Sequence, residues 1–466
     1  MSSYRNILKL SAWDMVAKAA YFLACLYLAR IMGVEHYGVW EFAISVMAYF
    51  LLIADFGMEV WATREATKGG DIPALVGKVV PLRLIGATVA LGILLAILPL
   101  LPEFPQLHTV LVVFGLTLFL QAANLKWVFM GQERMATAGK GLALTQLVFA
   151  GGIVVMVRSP NDLIWAPLVK GLGDLAAVSF FGRQFLSTYG LGRINFRLSE
   201  SSSILRHALP MGVSNGLGLL SYNCDTLLLG FLSGPNAVGL YNAAYRPVTA
   251  VLALPLTYFQ GLFPLLSRKH HEDRQGFIGT LRRSLGIAGL IALPIGVSGM
   301  FLGAPVLDLL FGPAYLQANT ALQVLVWSAV LVILRGSYRQ AFIASGRQTL
   351  DLRCAGISAT FNLGLNVLLI PPYGIIGAAA ATVVGDCVWL TLAALYCNWY
   401  VVPVPVCERL SKPLLASVLM GGSFMAFASF HWVSQAIFAW LVYLGSLWLM
   451  GEKEVRSWVL MVRAAT

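Results

Sequence analysis

Residues 10–33 read LSAWDMVAKAAYFLACLYLARIMG, an apolar run long enough to cross a bilayer that also carries Asp14, Lys18 and Arg30. A charge at the centre of a membrane helix costs about 2.5–3.5 kcal/mol on the insertion scale. Either the run is not in lipid, or its charged face looks at something other than lipid. Composition decides against the first option. The 466-residue chain is 58% hydrophobic and only 11% charged, where a soluble domain carries about 25% charged residues. Arg5 and Lys9 ahead of the run imitate a secretory signal. Asp14 and Lys18 interrupt its apolar stretch and no small-residue cleavage site closes it, so it reads as a first, uncleaved span.

At about 20 apolar residues per crossing, fourteen such runs succeed one another between residues 8 and 450. The connections alternate in charge. Arg64, Lys68, Lys78, Arg134, Lys140, Arg193, Arg197, Arg268, Lys269, Arg274, Arg347 and Arg353 fall on one side, and the opposite loops hold only Arg158. By the positive-inside rule both termini are expected on the cytoplasmic side of a multi-pass membrane protein. The net charge of +11 is then a topology signal, and nucleic acid is not an expected partner. The opposite loops, such as 102–107 and 312–318, are too short for the acceptor site of a membrane polymerase or transferase. The six cysteines show no C-x-x-C spacing and read as small core residues. Without a metal- or nucleotide-binding pattern, no cofactor is expected and the chain is not read as an enzyme.

The chain also repeats itself. RIMGVEHYGVWEFA (30–43) matches FLSGPNAVGLYNAA (231–244), with Gly33 over Gly234 and Gly38 over Gly239. Further on, Lys126 lies over Arg339, and Gly173-Asp174 over Gly385-Asp386. Three matches in order at a nearly constant offset predict two homologous six-helix lobes, residues 1–200 and 201–400, with 401–466 as an appendage of two further spans and a tail. Six crossings return the chain to the starting side, so the repeat is parallel. In transporters such a pair of repeats brackets a substrate path.

Sixteen charges fall inside the apolar runs: Lys18, Arg30, Arg83, Lys126, Lys170, Arg246, Arg335 and Arg339 against Asp14, Glu41, Asp55, Glu59, Asp174, Asp225, Asp308 and Asp386. They must snorkel, pair or line water. Arg83 and Arg339 lie close enough to a cytoplasmic end to snorkel, and Arg30 to the outer end. Asp14 with Lys18, and Lys170 with Asp174, have the i,i+4 spacing of a self-neutralising pair. Asp55, Glu59 and Asp308 read as groups at span ends. Arg246 precedes Pro247, which frees a carbonyl one turn earlier. Arg335 and Arg339 put two like charges on one helical face with no acid in their own span. An anionic ligand, or a pairing with Asp225 or Asp386, would neutralise Arg246 and Arg335. Lys18 is as open to a cavity role as to pairing. Trp40, Trp61, Trp127, Trp165, Trp327 and Trp432 read as interfacial belts.

LARIMGVEHYGVWEFA (28–43), DFGMEVWATREATK (55–68), CDTLLLGFLSGPNAVGLYNAAYRP (224–247), LLFGPAYLQA (309–318) and NLGLNVLLIPPYGIIGAAAATVVGD (362–386) together resemble, in order and spacing, the Wzx-type polysaccharide-biosynthesis membrane proteins. That resemblance covers nearly the whole chain. It implies the multidrug/oligosaccharidyl-lipid/polysaccharide (MOP) superfamily and an all-α polytopic fold of about fourteen helices. The two six-helix lobes would stand in a V around a central cavity, with two extra helices. It also implies a flippase that moves undecaprenyl-pyrophosphate-linked oligosaccharide from the inner to the outer leaflet. The cavity would be cationic, with Lys18, Arg246, Arg335, Arg339 and Lys126 as candidate substrate contacts. Asp14, Asp174, Asp225 and Asp386 are candidates for ion coupling. Lipid-linked oligosaccharide, the lipid bilayer and the polymerase and chain-length machinery of the same pathway are the implied partners. The competing expectations are a drug antiporter of the same superfamily, a membrane polymerase or transferase, and a non-transporting scaffold.

Overall fold

The computed structural model describes residues 2–190, 201–404 and 409–452. Thirteen α-helices and short 3-10 turns make up its regular structure, and no strand occurs among the described residues. Among the described residues, ten helices are long and apolar enough to cross a membrane. An all-helical chain is what hydrocarbon demands, because a helix satisfies every backbone N–H and C=O within itself. Packing divides the chain into two compact units, Met1–Gly239 and Leu240–Thr466.

The first unit contains α1 (Ser2–Asp55), α2 (Met58–Ala66), α3 (Ile72–Ile97), α4 (Leu107–Ala123), α5 (Lys126–Gly131), α6 (Met135–Met156), α7 (Trp165–Tyr189) and the beginning of α8 (Ser201–Glu272). Two long helices are broken by glycine. Gly33 in α1 has φ 70°, ψ 178°, and Gly234 in α8 has φ 84°, ψ 178°. These are the two residues that the repeat superposes, and they hold the same non-helical conformation. Left-handed φ disfavours a side chain at both. Around them the two copies of the motif pack reciprocally. A Cβ on Gly38 would lie 1.8 Å from the Pro235 carbonyl oxygen, and one on Gly239 would lie 2.1 Å from that of Val34. Val34 and Pro235 are themselves repeat mates. Lipid tails are as apolar as leucine, so membrane helices associate by close backbone approach at small residues. Gly57 and Gly212 make a second such contact, a Cβ on Gly57 falling 2.4 Å from the Gly212 nitrogen.

Two tryptophans of this unit correct one expectation. Trp40 and Trp127 are fully buried, Trp40 being stacked between Phe114 and Phe149. They are core residues, not interfacial belts. Position near a span end in sequence does not say which face a residue occupies.

The second unit contains the rest of α8, then α9 (Arg274–Phe311), α10 (Asn319–Ala344), α11 (Gln348–Tyr400), α12 (Ser411–Ala426) and α13 (Trp432–Leu449). Gly374 breaks α11 with φ 54°, ψ −129°. Phe259, Leu281, Leu285, Ile333 and Phe342 form its main core. The α12–α13 pair docks on α9 through Leu302, Met420, Phe424 and Leu447, and the Tyr443 hydroxyl donates to the Leu290 carbonyl at 2.8 Å. Cys25, Cys224, Cys354, Cys387 and Cys397 are free thiols; Cys407, Arg193 and Arg197 lie outside the described residues.

Candidate functional site

The charges inside the spans, exposed Asp308 apart, have partners among the described residues, and the partners differ in what they do. In the first unit, Asp55 ends α1 and its carboxylate accepts the backbone N–H of Glu59 at 3.1 Å, capping the first turn of α2. Phe56 and Gly57 between them take positive φ, so the chain breaks sharply here. Arg83, on α3 and 3% exposed, reaches both sides of the break. Its Nε lies 2.9 Å from Asp55, and one terminal nitrogen lies 3.8 Å from Glu59. The other terminal nitrogen donates to the Asn124 carbonyl at 3.2 Å, at the break between α4 and α5. Lys126, first residue of α5, pairs with Glu59 at 2.8 Å. Arg83 therefore does not snorkel. It ties two helix breaks together, and Lys126 belongs to the same neutral four-charge cluster.

Lys170 and Asp174 on α7 pair at 2.7 Å as the spacing predicts. Asp174 is 2% exposed, and its second carboxylate oxygen has no hydrogen-bond partner among the described residues. Asp14 and Lys18 also pair at 2.7 Å, but this pair is open, with side-chain exposures of 40% and 68%. Buried Glu41 and Asp225, and Arg30, are likewise engaged.

In the second unit, Arg335 of α10 pairs with Asp386 of α11 at 2.7 Å. The Ser328 hydroxyl donates to the other Asp386 oxygen, and the guanidinium lies 3.7 Å over the Trp389 ring. Of the two expectations for Arg335, pairing to Asp386 is the one observed. The missing acid comes from a helix distant in sequence. Arg339, one turn on, pairs with Asp351 at 3.2 Å and keeps a half-exposed side chain. Arg246 is half-buried and partnered. The repeat-related acids Asp174 and Asp386 thus have different surroundings. Asp386 has both oxygens engaged and an arginine partner, and Asp174 has one oxygen open and a lysine partner.

Asn124, Ser328 and Trp389 could not be picked out from sequence. None carries a charge, and each acquires its role only through a residue 41 or more positions away or on another helix.

The chain matches the family "Polysaccharide biosynthesis protein" over residues 3–270 and "Lipid II flippase MurJ" over residues 163–442. It is 23% identical over 380 residues to the capsular polysaccharide biosynthesis protein CapF of Staphylococcus aureus, which covers 79% of this chain and 92% of that one. Among solved structures, it resembles the lipid II flippase MurJ in an inward closed conformation, with TM-score 0.78 and 14% identity over 95% of this chain and 98% of that one. An inward-facing multidrug resistance MATE transporter of the MOP superfamily gives TM-score 0.68 and 16% identity over 84% and 97%. At these identities the structural likenesses establish the fold. With a family match over more than half its length, the chain belongs to the polysaccharide biosynthesis protein family and is a flippase of the Wzx type.

Proposed function

We propose that the protein moves an undecaprenyl-pyrophosphate-linked oligosaccharide from the inner to the outer leaflet by alternating access, for O-antigen, capsule or exopolysaccharide synthesis. The observation that carries this reading is the family match over residues 3–270. The pyrophosphate is the difficult part of such a cargo, because an anion crossing hydrocarbon loses its hydration. Cations inside the spans lower that barrier by exchanging their carboxylate partners for phosphate oxygens. Exchange costs least where the existing pair is least enclosed by protein, which favours Lys18 over Arg335. Arg246, half-buried beside Pro247, is the second contact in this reading. Arg335 instead positions α10 against α11, while Arg339 and Lys126 remain accessible auxiliaries.

The fourteen-span, two-lobe arrangement belongs to the same proposal. Splitting three of the ten apolar helices at their glycine breaks and adding α12 gives fourteen crossings, with both termini in the cytoplasm of the inner membrane. The polymerase and chain-length machinery of the pathway would take over the delivered unit. Among the coupling candidates Asp14, Asp174, Asp225 and Asp386, we favour Asp174, because a coupling cation needs a carboxylate oxygen that is not already spoken for.

Deleting the protein from its host should make lipid-linked saccharide accumulate on the cytoplasmic leaflet and abolish surface polymer. Normal polymer together with raised sensitivity to cationic dyes would overturn this reading in favour of a drug antiporter.

A further inference from the structure

A basic cavity in the second unit lies apart from the ion pairs described above. The turn between α8 and α9, the turn between α10 and α11 and the segment after α11 enclose about 360 Å³ lined by His270, Arg274, Ser345, Arg347 and Tyr400 over Phe277 and Val402. Three lining side chains are basic and none is acidic. Positive-inside bias alone would scatter bases over these turns, each turned to water. Lys269 does point elsewhere, its ammonium donating to the Thr280 hydroxyl at 2.8 Å. Arg274 and Arg347 instead converge on one cavity, and neither makes an ion pair among the described residues.

The walls are fixed independently of any ligand. After α11, Val401 and Val402 donate to the Cys397 carbonyl at 2.9 and 2.8 Å. Val404 donates to Asn398 Oδ1 at 2.9 Å, and the Tyr338 hydroxyl donates to the Val404 carbonyl at 3.2 Å. On the second wall Gly346 takes φ 70°, and the Arg347 N–H donates to the Phe342 carbonyl at 2.8 Å. On the third, Asp273 caps α9 by accepting from Gly276 at 2.8 Å. That bond occupies the acid nearest Arg274 in the chain. A site whose turns are already pinned loses little freedom when a ligand arrives.

The exposed aromatics beside the cavity indicate its depth. Trp399 is 67% exposed and Tyr400 48%, both ring-paired with Tyr396. Tryptophan and tyrosine at the end of a span mark the headgroup level. Paired guanidinium forks match the oxygens of a phosphate. We propose that this pocket binds the phosphate of an anionic phospholipid of the cytoplasmic leaflet, its acyl chains leaving past Trp399. The choice of leaflet rests on the sidedness proposed above, and anionic lipid is enriched there.

The test is native mass spectrometry of the full chain released from detergent with equimolar phosphatidylglycerol and phosphatidylcholine. Wild type should retain phosphatidylglycerol preferentially. R274A with R347A should lower that retention about tenfold or more, and R274K with R347K should keep part of it. R158A, on the opposite side, should change nothing. Equal retention of both lipids by wild type, or full retention by the double alanine variant, would overturn the site. Inorganic phosphate should not displace the lipid; displacement by phosphate alone would identify a soluble phosphate as the ligand and overturn the lipid assignment. Thermal unfolding of the Lys variant alongside separates loss of the site from loss of the fold. Binding is read without transport, so a chain that holds phosphatidylglycerol but moves no saccharide overturns only the flippase reading.

Discussion

Gly38 and Gly239, one from each copy of the repeated motif, each sit against the backbone carbonyl of the residue that opens the other copy's segment, Pro235 and Val34. Such reciprocity is what a local two-fold relation between the copies produces. It also leaves no space for a side chain at either position. G38A should therefore destabilise the folded chain, and G38L should prevent its accumulation in the membrane, as read by thermal unfolding in detergent and by immunoblot. G239A should behave like G38A. G92A, where a Cβ meets nothing within 4 Å, should be silent. Wild-type stability in G38L would show that the contact is not required.

The buried pair of Arg335 and Asp386 supports a prediction about stability. D386N should cost about 3–5 kcal/mol, because it leaves a guanidinium in a dry site with no counter-charge. R335M combined with D386L should recover most of the loss, since two apolar groups need no partner. The check is thermal unfolding of the purified variants. If D386N unfolds with the wild type, the pair does not hold α10 to α11.

Much of this was legible in the sequence, for physical reasons. Apolar run length fixed the helices, and the offset between Gly33 and Gly234 located two backbone breaks that share one conformation. The i,i+4 pairs Asp14–Lys18 and Lys170–Asp174 were readable because both partners lie on one helix. The partner of Arg83 was not, and for Arg335 the sequence offered Asp386 only as one of two acids beside an anionic ligand. Their acids, Asp55 and Asp386, stand on other helices, and nothing in a linear pattern gives the rotation of one helix against another. For the same reason the basic turns read only as a topology signal, although Arg274 and Arg347 meet across 73 residues of chain.

Sidedness gives a third prediction. Reporter fusions after Arg274 and Arg353 should behave as cytoplasmic, and those within 102–107 and 312–318 as external. The convergence of the turns after α8, α10 and α11 on one cavity requires 274 and 347 to share a side. Opposite signals there would contradict the fold itself, and a uniform inversion would contradict only the orientation.

The cargo-binding cations can be ranked by substitution. R246K should keep part of the transport, because the charge survives and the bidentate fork is lost. R246A should abolish it, and R246E should do so without loss of expression. K18A should lower transport while leaving thermal stability nearly unchanged, since an i,i+4 pair within one helix contributes only about 0.2–0.5 kcal/mol. Full surface polymer in both R246A and K18A would remove these two residues from the proposed path.

The two repeat-related acids provide the last prediction. If a coupling cation uses Asp174, D174N should uncouple transport from the imposed ion gradient and leave the fold intact. Asn keeps the shape, and the Lys170 side chain, 18% exposed, is less enclosed than that of Arg335 at 10%. D386N should lose stability first. In sealed vesicles, a proton or sodium gradient should accelerate saccharide flipping by wild type and not by D174N, with the gradient-free rate of D174N retained. D174E, which restores the carboxylate, should recover part of the response. No titratable residue lies on α6 between 141 and 149 or on α4 between 113 and 121, the stretches beside Thr145 and Thr117 that face Gly173 and Gly171. Lys170 is then the one ionisable neighbour on these three helices at that level, and loss of the gradient response in D174N can be assigned to this pair. A wild-type gradient response in D174N would move the coupling role to another acid.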